Sequence, residues 1–254
     1  MTNDTSSHLS EAWSSFVFKA IAIAKKDAKI YYFKPQIAGF GILIPAFLYL
    51  SFSLGRDIPP DFLIPGLVGM IALFGASSIE AISIPIEKQS ETYEILQTAP
   101  LSTTNILFGK SLAGSAFGMM LSFATTLGAV FITRDSIANP LLFLVAMIVG
   151  TFAFSSFGML IAAGVKDMPT ANMSLTALRL PMMFISGVFI PVQSLPVWLQ
   201  VVSYLTPLNY MVDALREAMT GPSIMFAVDL LVLLFWFIVL QSFAVMVLNR
   251  KTST

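Results

Sequence analysis

Three places in this chain carry side chains whose type and spacing could do chemistry. Gly109-Lys110-Ser111 reads as the end of a phosphate-binding loop, where backbone N–H groups cradle phosphates and the lysine reaches them. That loop needs a Gly five residues before its final Gly, and position 104 is Thr. It also needs a preceding strand, whereas here a helix leads into an apolar run. Lys110 therefore reads as a positive anchor at a membrane boundary. The only His, His8, lies in a polar N-terminal tail, which argues against zinc-protease chemistry and against Ser-His catalysis. The absence of Cys removes disulfides, thiolate metal sites and cysteine nucleophiles together. No catalytic residue, metal site or cofactor of the chain's own is expected. What remains is Glu80 and Arg179, two ionisable side chains inside apolar runs. A charge so placed costs several kcal/mol on an isolated helix and is ordinarily paired or set in a polar cavity. We expect the two to pair across a helix interface in at least one conformation. The alternative is that Glu80 reaches water and Arg179 snorkels toward it.

The elements that must position them are membrane helices. The composition is 56% hydrophobic with 11% charged residues, and the mean hydropathy is +0.83. An ordinary soluble domain carries about 25% charge. With 14 basic against 14 acidic residues, net charge implies no nucleic-acid partner. The N-terminus lacks a basic segment followed by an apolar core, so no cleavable signal peptide is expected. A crossing helix needs about 20 mostly apolar residues. Six stretches qualify: 36–54, 62–82, 108–132, 140–165, 172–190 and 225–248. An even number of spans puts both termini on one side. That side holds Lys19, Lys25, Lys26, Lys29, Lys34, Lys88, Lys110, Lys166, Arg250 and Lys251, against Arg56, Arg134 and Arg216 opposite. The asymmetry makes the terminal side cytoplasmic. The expected fold is all-α, one multi-pass domain over 1–254 in a cell membrane.

Three further segments stand out. Residues 9–34 form an amphipathic helix with Leu9, Trp13, Phe16, Val17, Ala20, Ile21 and Ala24 on one face. Its lysines lie opposite, as in a helix resting among membrane lipid headgroups. Residues 84–106 form the only sizeable cytoplasmic loop. Ser90-Glu91-Thr92 can start a short helix there, Pro100 stops it, and Ser102 or Thr103 can cap the next. Its Tyr93, Ile95 and Leu96 are candidates to dock a cytosolic partner, rimmed by Glu87, Glu91 and Glu94. The third segment, 191–222, follows an apolar run ending in Ser186-Gly187 and is broken at Pro191, Pro196 and Pro207. Irregular backbone at membrane depth is tolerated only under cover of protein or water. It reads as a re-entrant extracellular elbow before the last span.

Loop and elbow together resemble the membrane subunits of type-2 ATP-binding-cassette transporters, the ABC-2 permease family. The loop in that family runs from an acidic-basic cluster through Gly-Thr-hydrophobic-Glu to Pro-Leu-Ser. Here these are Glu87-Lys88-Gln89, Thr92-Tyr93-Glu94 and Pro100-Leu101-Ser102. Glu91 stands where Gly is usual, and Gln89 where Glu is common. Before the last span the family pattern fits Ser186-Gly187-Val188-Phe189-Ile190-Pro191, Leu195-Pro196, Pro207-Leu208 and Ala214-Leu215-Arg216, with Thr206 in place of Asn.

The resemblance implies an exporter's permease lacking its motor. Two chains pair as a homodimer, and cytosolic ABC ATPase subunits, which bind the ATP and Mg, grip the loop. The expected coupling residues are Glu87, Lys88, Glu91, Thr92, Tyr93, Glu94, Ile95, Leu96 and Pro100. Ser186, Gly187, Pro191, Pro196, Pro207, Asn209 and Arg216 are expected at an extracellular gate. A lipid-like or amphipathic drug-like cargo suits the apolar lining; related permeases are associated with glycans and ions. The rival reading, a stand-alone secondary transporter or channel, calls for an internal repeat, and none is evident.

Overall fold

The structure, a computed structural model, describes residues 3–35, 43–53, 55, 58–98 and 102–252. Among them there are helices and no strands. In chain order these are α1 (Asn3–Tyr31), α2 (Ile44–Ser53), α3 (Pro60–Gln89), α4 (Thr92–Thr98), α5 (Thr103–Thr133), α6 (Pro140–Gly164) and α7 (Met168–Ile185). A 3₁₀ turn (Val192–Ser194), α8 (Val197–Ser203), α9 (Pro207–Thr220) and α10 (Ile224–Thr252) complete the chain. Helices α3, α5, α6 and α10 are each long and apolar enough to cross a membrane, as expected of a multi-pass membrane protein. The expected span over 172–190 is represented by α7, which is 18 residues long and carries Asn172, Arg179 and an internal Pro181. Of the expected span over 36–54, residues 44–53 form α2, and 36–42 lie outside the described residues.

Helix α3 occupies the centre, packed on α5, α6, α7 and α9. Pro60 at its first turn supplies the fixed φ a helix start favours, and Asp61 there complements the positive end of the dipole. Ile64, Met70, Leu73 and Phe74 of α3 are fully buried with Phe154 of α6, Met183 of α7, and Leu208, Met211 and Leu215 of α9. Small residues set the closest approach. A Cβ on Gly118 would stand 2.7 Å from the Cβ of Ala76, so α5 and α3 meet nearly backbone to backbone. α3 also continues to Gln89, so the segment expected to be loop from residue 84 is helical up to Ser90.

Local chemistry explains the helix ends. Ser102 accepts from the Asn105 N–H at 3.2 Å and caps α5, as the sequence suggests. Asp167 caps α7, accepting from the Thr170 N–H and hydroxyl, each at 2.9 Å. Those two donors hold its carboxyl below the ordinary aspartate range.

Candidate functional site

The loop end of the bundle is built around charge. Lys26 and Asp27 come from α1, Glu87 from the last turn of α3, and Lys110 from the second turn of α5. They alternate in a closed ring: Lys26 to Asp27 at 3.0 Å, Asp27 to Lys110 at 3.0 Å, Lys110 to Glu87 at 2.7 Å, and Glu87 to Lys26 at 2.6 Å. The side chains of Asp27 and Lys110 are 0% exposed. Four such charges survive burial because each touches two of opposite sign and the ring is neutral overall. Both carboxylates are occupied by lysines, so the ring is an ionic joint between three helices, not an open ligand set. Beside it, burial and the neighbouring Glu87 carboxylate hold the Tyr31 hydroxyl well above the ordinary phenol range. One residue on, Tyr32 donates to the Ala113 carbonyl of α5 at 2.6 Å.

Two expectations change here. Lys110 is not a surface anchor: Gly109 lets α1 come so near α5 that a Cβ there would lie 2.8 Å from the Ala20 carbonyl oxygen, and the lysine is enclosed. Glu87 is not at a rim either, since its carboxylate turns inward to the ring. Lys88 also turns to the protein, donating to the Ala163 carbonyl at 3.1 Å near the C-terminal end of α6. A cation there satisfies orphan carbonyls and the negative end of the dipole.

Helix α4 hangs between α3 and α5 just outside this ring. Glu91, in the left-handed region at φ 58°, makes the turn out of α3, and its carbonyl accepts from the Ile95 N–H at 3.3 Å. The left-handed turn gives a physical reason for glycine being usual there. Thr92 hydrogen-bonds Ser90 through both hydroxyls at 2.8 Å. Tyr93 points inward, 4% exposed, among Ile23 of α1, Ile84 of α3 and Ile106 and Leu107 of α5. It wedges the helix in place and is not available to a partner, contrary to expectation. Leu96 packs on the same cluster, whereas Ile95 is 68% exposed. The side chain of Glu94 and the whole of Pro100 lie outside the described residues.

α1 itself docks on the bundle through one stripe. Ala20, Ile23, Asp27 and Tyr31 are buried against the bundle, while Val17, Phe18 and Ile21 are exposed. The side chains of Leu9 and Trp13 lie outside the described residues.

Deeper in the bundle, Arg179 of α7 donates to the Ser77 hydroxyl of α3 through Nε at 3.0 Å and Nη2 at 2.6 Å, with its guanidinium 5.0 Å from the Phe74 ring centre. Glu80 accepts from Ser155 at 3.3 Å and Ser83 at 3.4 Å. Among the described residues no ion pair joins Arg179 to Glu80. Both are fully buried, so neither snorkels out of the single chain. Ser111 and Ser156 both donate to Gln241 Oε1, at 2.8 and 2.9 Å, and so join α5, α6 and α10.

At the other end of α3, the elbow is assembled from neutral groups and one ion pair, Arg216 with Asp213. Ser186 ends α7, and Gly187 turns the chain at φ 73°. Ser186 and Thr206 share a hydrogen bond at 2.7 Å; Thr206 donates to the Ser203 carbonyl at 2.7 Å, and Ser203 to Asn209 Oδ1 at 3.3 Å. Arg216 donates to the Gly187 carbonyl and, at 3.2 Å, to Asp213, and lies 4.1 Å over the Phe62 ring of α3. The structure thus brings Ser186, Gly187, Asn209 and Arg216 together. Pro191 and Pro196 are exposed and precede the 3₁₀ turn and α8, and Pro207 opens α9. Val197, Trp198, Val201 and Leu205 at α8 are all exposed.

Asp27, Ser77 and Gln241 were not singled out by the sequence. Asp27 carried the one available signal: an acid in step with Ala20, Ile23 and Tyr31 on one helical face.

Residues 14–220 match the sequence profile of a family described as "ABC-2 type transporter". The chain is 24% identical over 157 residues to "Probable multidrug ABC transporter permease YbhR" of Escherichia coli, covering 61% of this chain and 43% of that one. It is 26% identical over 161 residues to "Inner membrane transport permease YadH" of the same organism, covering 63% of each. It is 29% identical over 197 residues to "ABC transporter G family member 20" of Dictyostelium discoideum, covering 75% of this chain and 27% of that one. In each case the matched segment is less than two thirds of the relative.

Proposed function

This chain belongs to the ABC-2 type transporter family, and on that footing we propose that it is the permease subunit of an ATP-driven exporter. Two copies form the pathway. Separate cytosolic ATPase subunits, which carry the ATP and Mg, drive it from the α4 side, with both termini facing them. The observation that carries the reading is the mounting of α4: a seven-residue helix held by Tyr93 in a cluster drawn from α1, α3, α5, α6 and α10, directly outside the charge ring. A push on a helix so mounted is passed to the rest of that cluster, as an energy-coupling element requires. Of its apolar residues, Ile95 is left exposed for the ATPase. Glu80 and Arg179, buried on hydroxyls, are set to meet in another state of the cycle. The elbow, with Arg216 at its centre, serves as the gate on the far side, and the exposed face of α8 meets the second copy or lipid.

The cargo reading rests on α7. An open groove of about 580 Å³ runs along it, walled by Met168, Met173, Ala177 and Leu180 with Asn172 and Thr176 as polar points. That is within the ~300–1,000 Å³ of pockets for drug-sized ligands, and its almost wholly apolar lining suits a lipid-like compound or the apolar part of an amphipathic one.

The test is to co-express the chain with its cassette ATPase, reconstitute both, and screen amphipathic solutes for stimulation of ATP turnover. Ile95→Asp should abolish ATPase association while the permease still inserts and folds. Association and transport left intact by that change would remove α4 as the coupling element. Solute movement by the purified chain with neither ATP nor partner would overturn the permease reading itself.

A further inference from the structure

We propose that Glu80 holds a proton in this conformation and gives it up to water when Arg179 reaches it, so that each chain binds and releases one proton in the course of its cycle. The inference rests on the reading that these two side chains meet in another state.

The surroundings of Glu80 are those of an uncharged acid. Its carboxyl is fully buried and receives two hydrogen bonds, from Ser155 of α6 at 3.3 Å and Ser83 of α3 at 3.4 Å. A hydroxyl on an ionised carboxylate draws in to about 2.5–2.7 Å, so these lengths match a neutral carboxyl. Both hydroxyl oxygens have lone pairs to accept the acid's own O–H. Gly114 of α5 closes over the group: a Cβ there would lie 2.7 Å from Oε1, which leaves no space on that side for a water or a metal ion.

The charges that face it are already matched. Lys110 of α5, Asp27 of α1 and Glu87 of α3 are its charged neighbours, and with Lys26 they close into the neutral ring. The Lys110 ammonium is held there by Asp27 and Glu87. Tyr32, just past α1, has its hydroxyl on the Ala113 carbonyl. Ionised, Glu80 would be a third acid against two lysines. A buried carboxylate with no cation of its own takes up a proton instead.

The cation that could displace the proton stands close by. Ser77 and Glu80 are three residues apart and so are neighbours on one face of α3. Arg179 of α7 is bound to Ser77 through Nε and Nη2, and its buried Nη1 has no partner. Sliding of α7 along α3 by about one turn, ~5.4 Å, exchanges the hydroxyl contacts for an ion pair and breaks the O–H bond of Glu80. Acid therefore favours the conformation described, and alkali the paired one.

The experiment is infrared spectroscopy of the purified full chain in detergent at neutral pH, with the spectrum of Glu80→Gln subtracted. The difference should contain the carbonyl band of one protonated carboxyl. Ser155→Ala, which removes a donor and leaves the acid in place, should move that band to higher frequency. A difference spectrum without the band overturns the proposal and leaves the pairing standing. Should Glu80→Gln not fold, the Ser155→Ala shift makes the assignment, and an unmoved band overturns it. Raising the pH tests the role of Arg179. The band should fade in wild type and in Arg179→Lys, which keeps a cation. In Arg179→Gln it should persist to a pH at least about one unit higher, a tenfold tighter hold on the proton. Equal fading in Arg179→Gln and wild type sinks the pairing, and with it the link between proton and cycle.

Discussion

At the α4 end of the bundle, four alternating charges from three helices close on one another with only Lys26 reaching solvent to any extent, whereas the elbow is held chiefly by hydroxyls, an amide, one glycine turn and an arginine set over a ring and beside the half-exposed Asp213. The two constructions fail differently. Removing one member of a buried ion pair strands its partner and costs about 3–5 kcal/mol. A neutral hydrogen bond is worth about 1 kcal/mol net and is readily exchanged for another. The α4 end is therefore a joint that transmits displacement without giving, and the elbow is a contact that can open a bond at a time.

The harshest test of this contrast is Asp27→Ala, which leaves Lys110 buried with one acid for two lysines. It should lower stability by about 3–5 kcal/mol, read as a fall in the unfolding midpoint in detergent. The double change Asp27→Leu with Lys110→Met leaves the neutral Lys26–Glu87 pair and should recover most of that loss. If the single change is as mild as the double, the ring is ornamental and the contrast fails. Next in size is Gly187→Ala. It forces a Cβ onto a φ of 73° and to within 3.2 Å of Arg216 Nη1, at a cost of about 1–2 kcal/mol. Amide exchange should quicken in α8 and α9 and stay unchanged at the C-terminal end of α3. Ser186→Ala should cost about 1 kcal/mol with the same regional signature, and spread of the effect to α4 would break the comparison. Smallest is Glu91→Gly. It relieves about 1–2 kcal/mol of left-handed strain and returns about 0.4–1 kcal/mol as added freedom of the unfolded chain. The net is a slight gain in stability, visible as slower exchange in α4.

Four of the six expected spans, the Ser102 cap and the breaks at Ser186-Gly187 and the prolines were legible because each depends on local sequence: apolar length, a capping hydroxyl, a left-handed glycine, a missing N–H. The docked face of α1 was not. Both Ala20-Ile23 and Val17-Phe18-Ile21 are apolar, and periodicity cannot say which meets protein and which meets lipid. Lys110 was misplaced for a related reason. Charge counting assigns a lysine near a span end to water, but Gly109 draws α1 close enough to cover it. Tyr93, Ile95 and Leu96 looked alike within one short helix. Their division into wedge and exposed surface follows from how α3 and α5 enter and leave the turn.

Helix α3 touches both constructions: Phe62 lies under Arg216 near its start, and Glu87 joins the ring near its end. Its 30 residues make a rod of about 45 Å. Pivoted at its middle, where Ala76 meets Gly118, it is a lever with nearly equal arms of about 20 Å. A tilt of only about 3° would carry each end through about 1 Å, in opposite directions. That is enough to part a hydroxyl pair at one end while the ionic joint at the other travels as a unit.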